Sequence, residues 1–189
     1  LDYFNDEKNA RAYIRMAEGY DGRDLIPILE TVLPEGASIL ELGMGPGIDL
    51  DILSKRYTVT GSDGAQPFLD FYRKTHPDAD LLKLDAVTLE TDRNFDALFT
   101  NKVLIHLLPD QLEASVARQP ALLNAPGYVF HTFWRGEGIE NHHGVTSVYW
   151  TEDGLRQVFE PHFEIIEMQS YSELAADDSI WLLARKRAA

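Results

Sequence analysis

Short β-rich runs alternate with stretches of helical spacing along most of the chain, and this alternation constrains the fold more than any other feature. The runs are Ser38–Leu42, Tyr57–Ser62, Leu81–Leu84, Phe95–Thr100, Tyr128–Phe133, Phe163–Met168 and Ile180–Ala184. Between them apolar residues recur at helical intervals. Leu25, Ile28, Leu29 and Val32 predict a long first helix; Ile48, Leu50 and Leu53 a second; Phe68, Leu69 and Tyr72 a third. Leu112, Val116 and Leu123, then Leu155, Val158 and Phe159, predict two more. Such alternation implies βαβ units and a mainly parallel sheet. The runs ILEL, DALFT and YVFHTF are almost continuously apolar, as strands covered on both faces should be. The last two runs have no helical pattern between them, only the short polar connector Tyr171–Asp178, which predicts an antiparallel hairpin at the end. The expected fold is therefore α/β: a seven-stranded, mostly parallel, doubly wound (Rossmann-like) sheet with helices on both faces.

Punctuation agrees with these boundaries. Pro34–Gly36 separates the first helix from the first strand, Pro109 and Asp110 suit a helix start, and Pro126–Gly127 precedes the fifth strand. Trp134–Val148 is the one long irregular stretch, expected to be a functional or mobile loop. At 189 residues, 44% hydrophobic and 25% charged, the chain has globular proportions and the length of one domain. Its 31 acidic against 17 basic residues, a net charge of −14, argue against a nucleic-acid partner, since phosphate binding needs clustered Lys and Arg. With no cysteine there is no disulfide framework and no thiol nucleophile, which suits the cytoplasm. No window approaches the roughly 18 apolar residues of a membrane span, and the first residues lack the order of a secretory signal.

The strongest local motif is Glu41-Leu42-Gly43-Met44-Gly45-Pro46-Gly47, directly after the first strand and before IDLDILSKRY. A strand turning sharply into a helix needs glycine where φ is positive or where a ligand approaches the backbone. The helix start then offers unpaired N–H groups, and open α/β sheets bind ligands beside strand 1. The dinucleotide fingerprint would place glycine at position 48, which is Ile, and no P-loop pattern is present. A cofactor bound without phosphate cradling, carrying a cationic or zwitterionic part favoured by Glu41, fits this spacing better.

Two more carboxylates end the next strands. Asp63 closes the second, where an acid can accept two hydrogen bonds from a ribose diol. Asp85 closes the third; with the Ala86 N–H it can hold an adenine edge. The fourth strand ends in Thr100-Asn101-Lys102.

With these motifs in this order, the chain resembles the class I S-adenosylmethionine-dependent methyltransferases from about Leu25 to Lys186. ELGMGPG is similar to the family's glycine-rich first motif, Asp63 and Asp85 to its ribose and adenine acids, and FDALFTNKVLIHL to its fourth-strand motif. The resemblance implies strand order 3-2-1-4-5-7-6 with strand 7 antiparallel, and S-adenosyl-L-methionine as cofactor. It implies cofactor contacts from Glu41, Gly43, Met44, Gly45, Gly47, Asp63, Gly64, Asp85, Ala86 and Asn101. Residues 1–24 are expected to form a helical lid on a core of residues 25–189, the whole being one methyltransferase domain. Tyr13, Met16 and Tyr20 lie at helical spacing, so packing is the default for Tyr13, while Tyr20 is a candidate contact to the sulfonium.

Methyl transfer from a sulfonium is an in-line displacement in which the protein chiefly aligns the acceptor and excludes water. No residue identifies itself as a base; His106, after the fourth strand, is the one candidate. Lys102, His106 and Trp134 are candidate contacts to the acceptor, which the charge and chain length suggest is a small molecule. His142-His143 beside Glu140 is a poor metal pattern, and no metal is expected. A nicotinamide-dependent oxidoreductase and a non-catalytic cofactor-binding module are the alternatives; Ile48 and Asp85 count against the first.

Overall fold

The computed structural model describes residues 2–142 and 144–188. Its centre is β1 (Ser38–Leu42), paired in parallel with β2 (Thr58–Asp63) on one side and β4 (Phe95–Thr100) on the other. β2 pairs with β3 (Leu81–Lys83), and β4 with β5 (Leu123–Arg135), again in parallel. The end of the chain supplies β8 (Phe163–Tyr171) and β9 (Ser179–Lys186). β9 runs antiparallel to β5, and β8 antiparallel to β9. The order β3-β2-β1-β4-β5-β9-β8 is the expected 3-2-1-4-5-7-6, with the last strand of the chain reversed.

Successive side chains of the central strands point to opposite faces, and both faces are covered. Leu40, Leu98, Val129 and Leu182 pack with Leu112 and Val116 of α4 (Pro109–Arg118) and with Leu155 and Phe159 of α5 (Glu152–Phe159). Their neighbours Ile39, Phe99, Phe130 and Leu183 pack on the other face with Leu53 of α2 (Ile48–Leu53) and with Ile26 and Leu29. All eight strand residues are at most 1% exposed, which explains why these strands read as unbroken apolar runs. Local signals set the helix ends. Asp6 caps α1 (Glu7–Met16) by accepting from the Lys8 and Asn9 N–H groups, Pro109 opens α4, and the Thr151 hydroxyl accepts the Gly154 N–H of α5. A short α3 (Gln66–Arg73) joins β2 to β3; Ala10 of α1 and Phe4 pack on its Phe68.

Three expectations change. The long first helix over Leu25–Val32 is a single 3-10 segment, Ile26–Thr31. Pro27 near its start cannot donate, and Ile26, Ile28, Thr31 and Val32 are β-branched, so little favours a full α-helix. The irregular stretch Trp134–Val148 instead holds β6 (Ile139–His142) and most of β7 (Val145–Trp150), paired antiparallel. Among the described residues the sheet system thus has nine strands, because β5 outruns β4 and its last residues, Trp134 and Arg135, pair in parallel with Tyr149 and Trp150 of β7. Finally, β5 begins at Leu123, with a register irregularity before Tyr128, so Pro126–Gly127 lies inside the strand. No helix among the described residues is long and apolar enough to cross a membrane.

Candidate functional site

β1, β2 and β4 end at the same edge of the sheet, and the glycine loop crosses their ends. Gly43, Gly45 and Gly47 all have positive φ, at 70°, 50° and 87°. At Gly43 an added Cβ would overlap the Val103 side chain, and at Gly47 it would overlap the Tyr72 ring. These two glycines therefore permit both the turn and the close approach of neighbouring elements. Gly47 is the N-cap of α2, in the left-handed region.

The loop is clasped from β2. The Asp63 carboxylate accepts the Gly45 N–H at 3.0 Å and the Ala65 N–H at 2.8 Å. Burial pushes its carboxyl upward, while those two N–H groups pull it back. Met44 turns inward instead: its N–H donates to the Ser62 carbonyl, and its side chain packs with Leu50, Leu69, Tyr72 and Leu81.

Two cavities flank this loop. One, of about 450 Å³, is lined by Asp63, Gly64, Asp85 and Ala86, and by Phe4, Phe68 and His106. The other, of about 580 Å³, is lined by Glu41, Met44, Asp49, Tyr20, Trp134 and Glu173, among others. Gly43, Gly45, Tyr13, Asn101 and Lys102 line both. Tyr13, on α1, packs edge-on to Phe4 and Phe68, so the N-terminal helix is seated over the junction of the two cavities. Burial, then the charges of Asp63 and Asp49, raises the Tyr13 hydroxyl above its ordinary range and keeps it neutral.

The carboxylates differ in their satisfaction. One Asp85 oxygen accepts the Val87 and Thr88 N–H groups at 2.8 and 3.0 Å, fixing the turn after β3. Glu41 is only 3% exposed, and its Oε2 is buried with no hydrogen-bond partner among the described residues. Burial, then the charges of Asp49, Asp63 and Asp51, raises its carboxyl well above the usual range. A buried polar atom without a partner is costly, and here it marks a position suited to a ligand donor or cation.

Asp49, in the first turn of α2, was not singled out by the sequence. Its carboxylate accepts the Gly22 N–H at 2.6 Å and the Asn101 amide at 2.9 Å. Asn101 in turn accepts from the Thr132 hydroxyl at 2.8 Å, so β4, β5, α2 and the N-terminal segment meet in one hydrogen-bonded chain. The only sequence signal was an acid two places after the last glycine, which reads equally well as a solvated first-turn residue.

Lys102 has φ of 55°, uncommon outside glycine. Its ammonium lies 2.6 Å from Glu173, 2.7 Å from the Ser179 hydroxyl and 3.7 Å from the Trp134 ring centroid. Burial lowers the Lys102 ammonium, an effect that Glu173 opposes. His106 lies in the first cavity with Asp63 and Asp85, apart from Trp134 and Tyr20 in the second. Its Nδ1 faces the Thr146 carbonyl at 2.6 Å; a carbonyl only accepts, so Nδ1 carries the proton and Nε2 is bare. Burial lowers the imidazole below its ordinary range, favouring that neutral form.

The structure thus gathers Asp63, Gly64, Asp85, Ala86 and His106 on one side of the glycine loop. It places Glu41, Met44, Tyr20 and Trp134 on the other. Gly47 lines neither cavity. His143 lies outside the described residues; among the described ones no group of three or more His, Asp or Glu is placed to hold a metal.

Comparison with known proteins fits this geometry. Residues 39–127 match a family model described as a methyltransferase domain, a span that takes in the glycine loop, Asp63, Asp85 and Asn101. Among solved structures, the chain is similar to the Burkholderia thailandensis 1,6-didemethyltoxoflavin-N1-methyltransferase bound to 1,6-didemethyltoxoflavin and S-adenosylhomocysteine. The identity is 20%, the TM-score 0.78, and 99% of this chain and 86% of that one are covered. A TehB-like S-adenosylmethionine-dependent methyltransferase from Corynebacterium glutamicum shares 21% identity at a TM-score of 0.74, covering 99% of this chain and 100% of the other. The N-methyltransferase NodS of Bradyrhizobium japonicum, in complex with S-adenosylhomocysteine, shares 16% identity at a TM-score of 0.71, covering 87% and 85%. The protein has the fold of the class I S-adenosylmethionine-dependent methyltransferases. The stretch that matches the methyltransferase-domain model lies on the half of the sheet that holds the glycine loop.

Proposed function

We propose that the chain is an S-adenosyl-L-methionine-dependent methyltransferase acting on a small-molecule acceptor. The observation that carries this reading is the pair of cavities joined across Gly43 and Gly45, with strand-end carboxylates on both sides. The residues suit an adenosyl sulfonium. Asp63 and Gly64 would hold the ribose, and Asp85 with Ala86 the adenine edge. The unpartnered Glu41 oxygen would meet the positive end of the methionine portion. Similar structures bound to S-adenosylhomocysteine support the same cofactor. Once bound, that cofactor supplies an electrophilic methyl group on a good leaving group.

The chain's own task is then alignment and exclusion of water. Tyr13 of the N-terminal segment lines both cavities where they meet, and Phe4 packs against it from the first, which makes the residues before Leu25 a lid in this reading. Asn101, fixed by Asp49 and Thr132, orients the edge of β4 where the cavities meet. His106, with a bare Nε2, can accept a proton in the first cavity. The similar Burkholderia thailandensis enzyme, solved with 1,6-didemethyltoxoflavin bound, supports a small-molecule acceptor in this reading.

Isothermal calorimetry with S-adenosylmethionine and S-adenosylhomocysteine tests this directly. Binding of both is expected, with Asp63→Ala weakened; no heat from either nucleoside at millimolar concentration would overturn it.

A further inference from the structure

We propose that Ser115 of α4 is a positioning residue that holds the nucleoside pocket to adenine over hypoxanthine, an inference that rests on the methyltransferase reading above. Ser115 acts through the backbone of Ala86, on the turn that follows β3.

That turn has its peptide planes fixed in succession. The Asp85 carbonyl accepts the Leu89 N–H at 3.0 Å, and Leu89, at φ 48°, is fully buried in the core. This carbonyl shares a peptide unit with the Ala86 N–H, so its bond sets the direction of that donor. The next peptide unit is gripped at both ends. Its N–H, from Val87, donates to Asp85 Oδ1 at 2.8 Å, and its carbonyl, from Ala86, accepts the Ser115 hydroxyl at 2.6 Å. Asp85 and Ala86 line the first cavity. Asp85 Oδ2 and the Ala86 N–H remain there as an acceptor and a donor, with no hydrogen-bond partner among the described residues.

Of the hydrogen bonds made by Asp85–Leu89 among the described residues, the one from Ser115 alone comes from another element. Ser115 is fully buried on α4, beside Leu112 and Val116 of the core. Alanine is the better helix former, and a serine inside a helix usually bonds a carbonyl of the turn before it. Here the hydroxyl reaches a carbonyl 29 residues away. Losing either partner would leave a buried polar group unpaired, so helix and turn hold each other in place. One turn earlier on the same helix, Gln111 also lines the first cavity, so this side of α4 backs the base site.

The arrangement reads one base edge. The exocyclic amine of adenine donates to Asp85 Oδ2, and the adjacent ring nitrogen accepts the Ala86 N–H. Hypoxanthine presents the reverse pattern: its carbonyl oxygen meets the carboxylate and its ring N–H meets the Ala86 N–H. Rejection of that mismatch requires the Ala86 backbone to keep its orientation, and Ser115 resists its rotation from the side away from the ligand.

The test titrates the full chain calorimetrically with S-adenosylhomocysteine and S-inosylhomocysteine, which differ only at this edge. The native chain is expected to prefer the adenine compound by about a hundredfold or more, as two mismatched polar contacts imply. Ser115→Ala should narrow that ratio by about three- to tenfold, the effect of one lost hydrogen bond, chiefly by weakening S-adenosylhomocysteine. Val116→Ala, which loosens the same helix but keeps the hydroxyl, should lower the melting temperature and leave the ratio unchanged. A native ratio retained in Ser115→Ala, or an equal fall in Val116→Ala, overturns the role of Ser115. Equal binding of both compounds by the native chain overturns it together with the adenine assignment of Asp85 and Ala86. Failure of S-adenosylhomocysteine to bind at all removes the methyltransferase reading and this inference with it.

Discussion

The Asp49 carboxylate takes the backbone N–H of Gly22 at 2.6 Å, joining the first turn of α2 to the segment that carries the N-terminal helix. Asp49→Ala removes this tie and strands the Gly22 donor and the Asn101 amide. We expect a loss of about 1–3 kcal/mol in stability, together with faster amide exchange at Gly22. The first is read by urea unfolding and the second by hydrogen exchange. Unchanged protection at Gly22 would show that the helix is held by packing of Phe4 and Tyr13 alone. Asp49→Asn should fall between, since it can still accept from Gly22 but presents an amide to the Asn101 amide.

Asp63 serves both the loop and the proposed ribose site. Asp63→Ala should weaken S-adenosylhomocysteine binding by about tenfold to a hundredfold, as expected for two lost hydrogen bonds to a charged group. Asp63→Asn keeps an acceptor for one N–H and should lose less. Calorimetry ranks the three proteins; equal affinities would mean that Asp63 only shapes the loop.

Gly47→Ala introduces two separate faults, a side chain at φ 87° and an overlap with the Tyr72 ring. The expected cost is about 1–3 kcal/mol for the backbone alone, plus the displacement of Tyr72. Adding Tyr72→Ala to Gly47→Ala should relieve the second fault and not the first. In thermal unfolding, therefore, the Gly47 substitution should cost less in the Tyr72→Ala background than in the native chain.

His131 is fully buried between the Thr100 hydroxyl at 2.9 Å and the Gln119 side-chain oxygen at 3.1 Å, and burial pushes its imidazole down to about 3. In the unfolded chain an imidazole titrates near 6.5. Between these values the unfolded state binds the extra proton and the native state does not, so stability falls as pH drops from about 6.5 towards 3, by at most about 1.4 kcal/mol per unit. Glu41, Asp49 and Asp63, raised by burial, act in the opposite sense: their contribution is fullest below the ordinary carboxylate range and is lost as pH rises. Comparing the native chain with His131→Gln isolates the imidazole. The native chain should lose more stability between pH 6.5 and 4.5 than the variant, as measured by urea midpoints (values set by the imidazole range).

Much of this architecture was legible because it depends on repeating physical patterns. β1, β4 and the centre of β5 are buried on both faces, and their sequences are accordingly continuous in Leu, Ile, Val and Phe. The glycine loop and the strand-end acids stood out because each sits where the chain changes direction. The hairpin of β6 and β7 was hidden: Gly136, Gly138 and Gly144 interrupt it, and all four residues of β6 are exposed, so no apolar alternation marks that strand. Asp49 was hidden for a different reason. Its importance comes from Gly22 and Asn101, distant in sequence, and nothing in IDLDIL distinguishes a buried acid from a solvated one. The division into two cavities was equally invisible, since it depends on where α1 sets the Tyr13 ring.

The overhang of β5 beyond β4 has a consequence for how such a site can diversify. β7 docks on that overhang, and its Thr146 carbonyl fixes the tautomer of His106. One border of the first cavity is therefore a continuation of the central ladder rather than a free loop. Substitutions at Thr146 and its neighbours on β7 would reshape that border while the pairing of β5 with β4 and β9 stayed in step, so ligand preference could drift across homologous chains without disturbing the scaffold that folds.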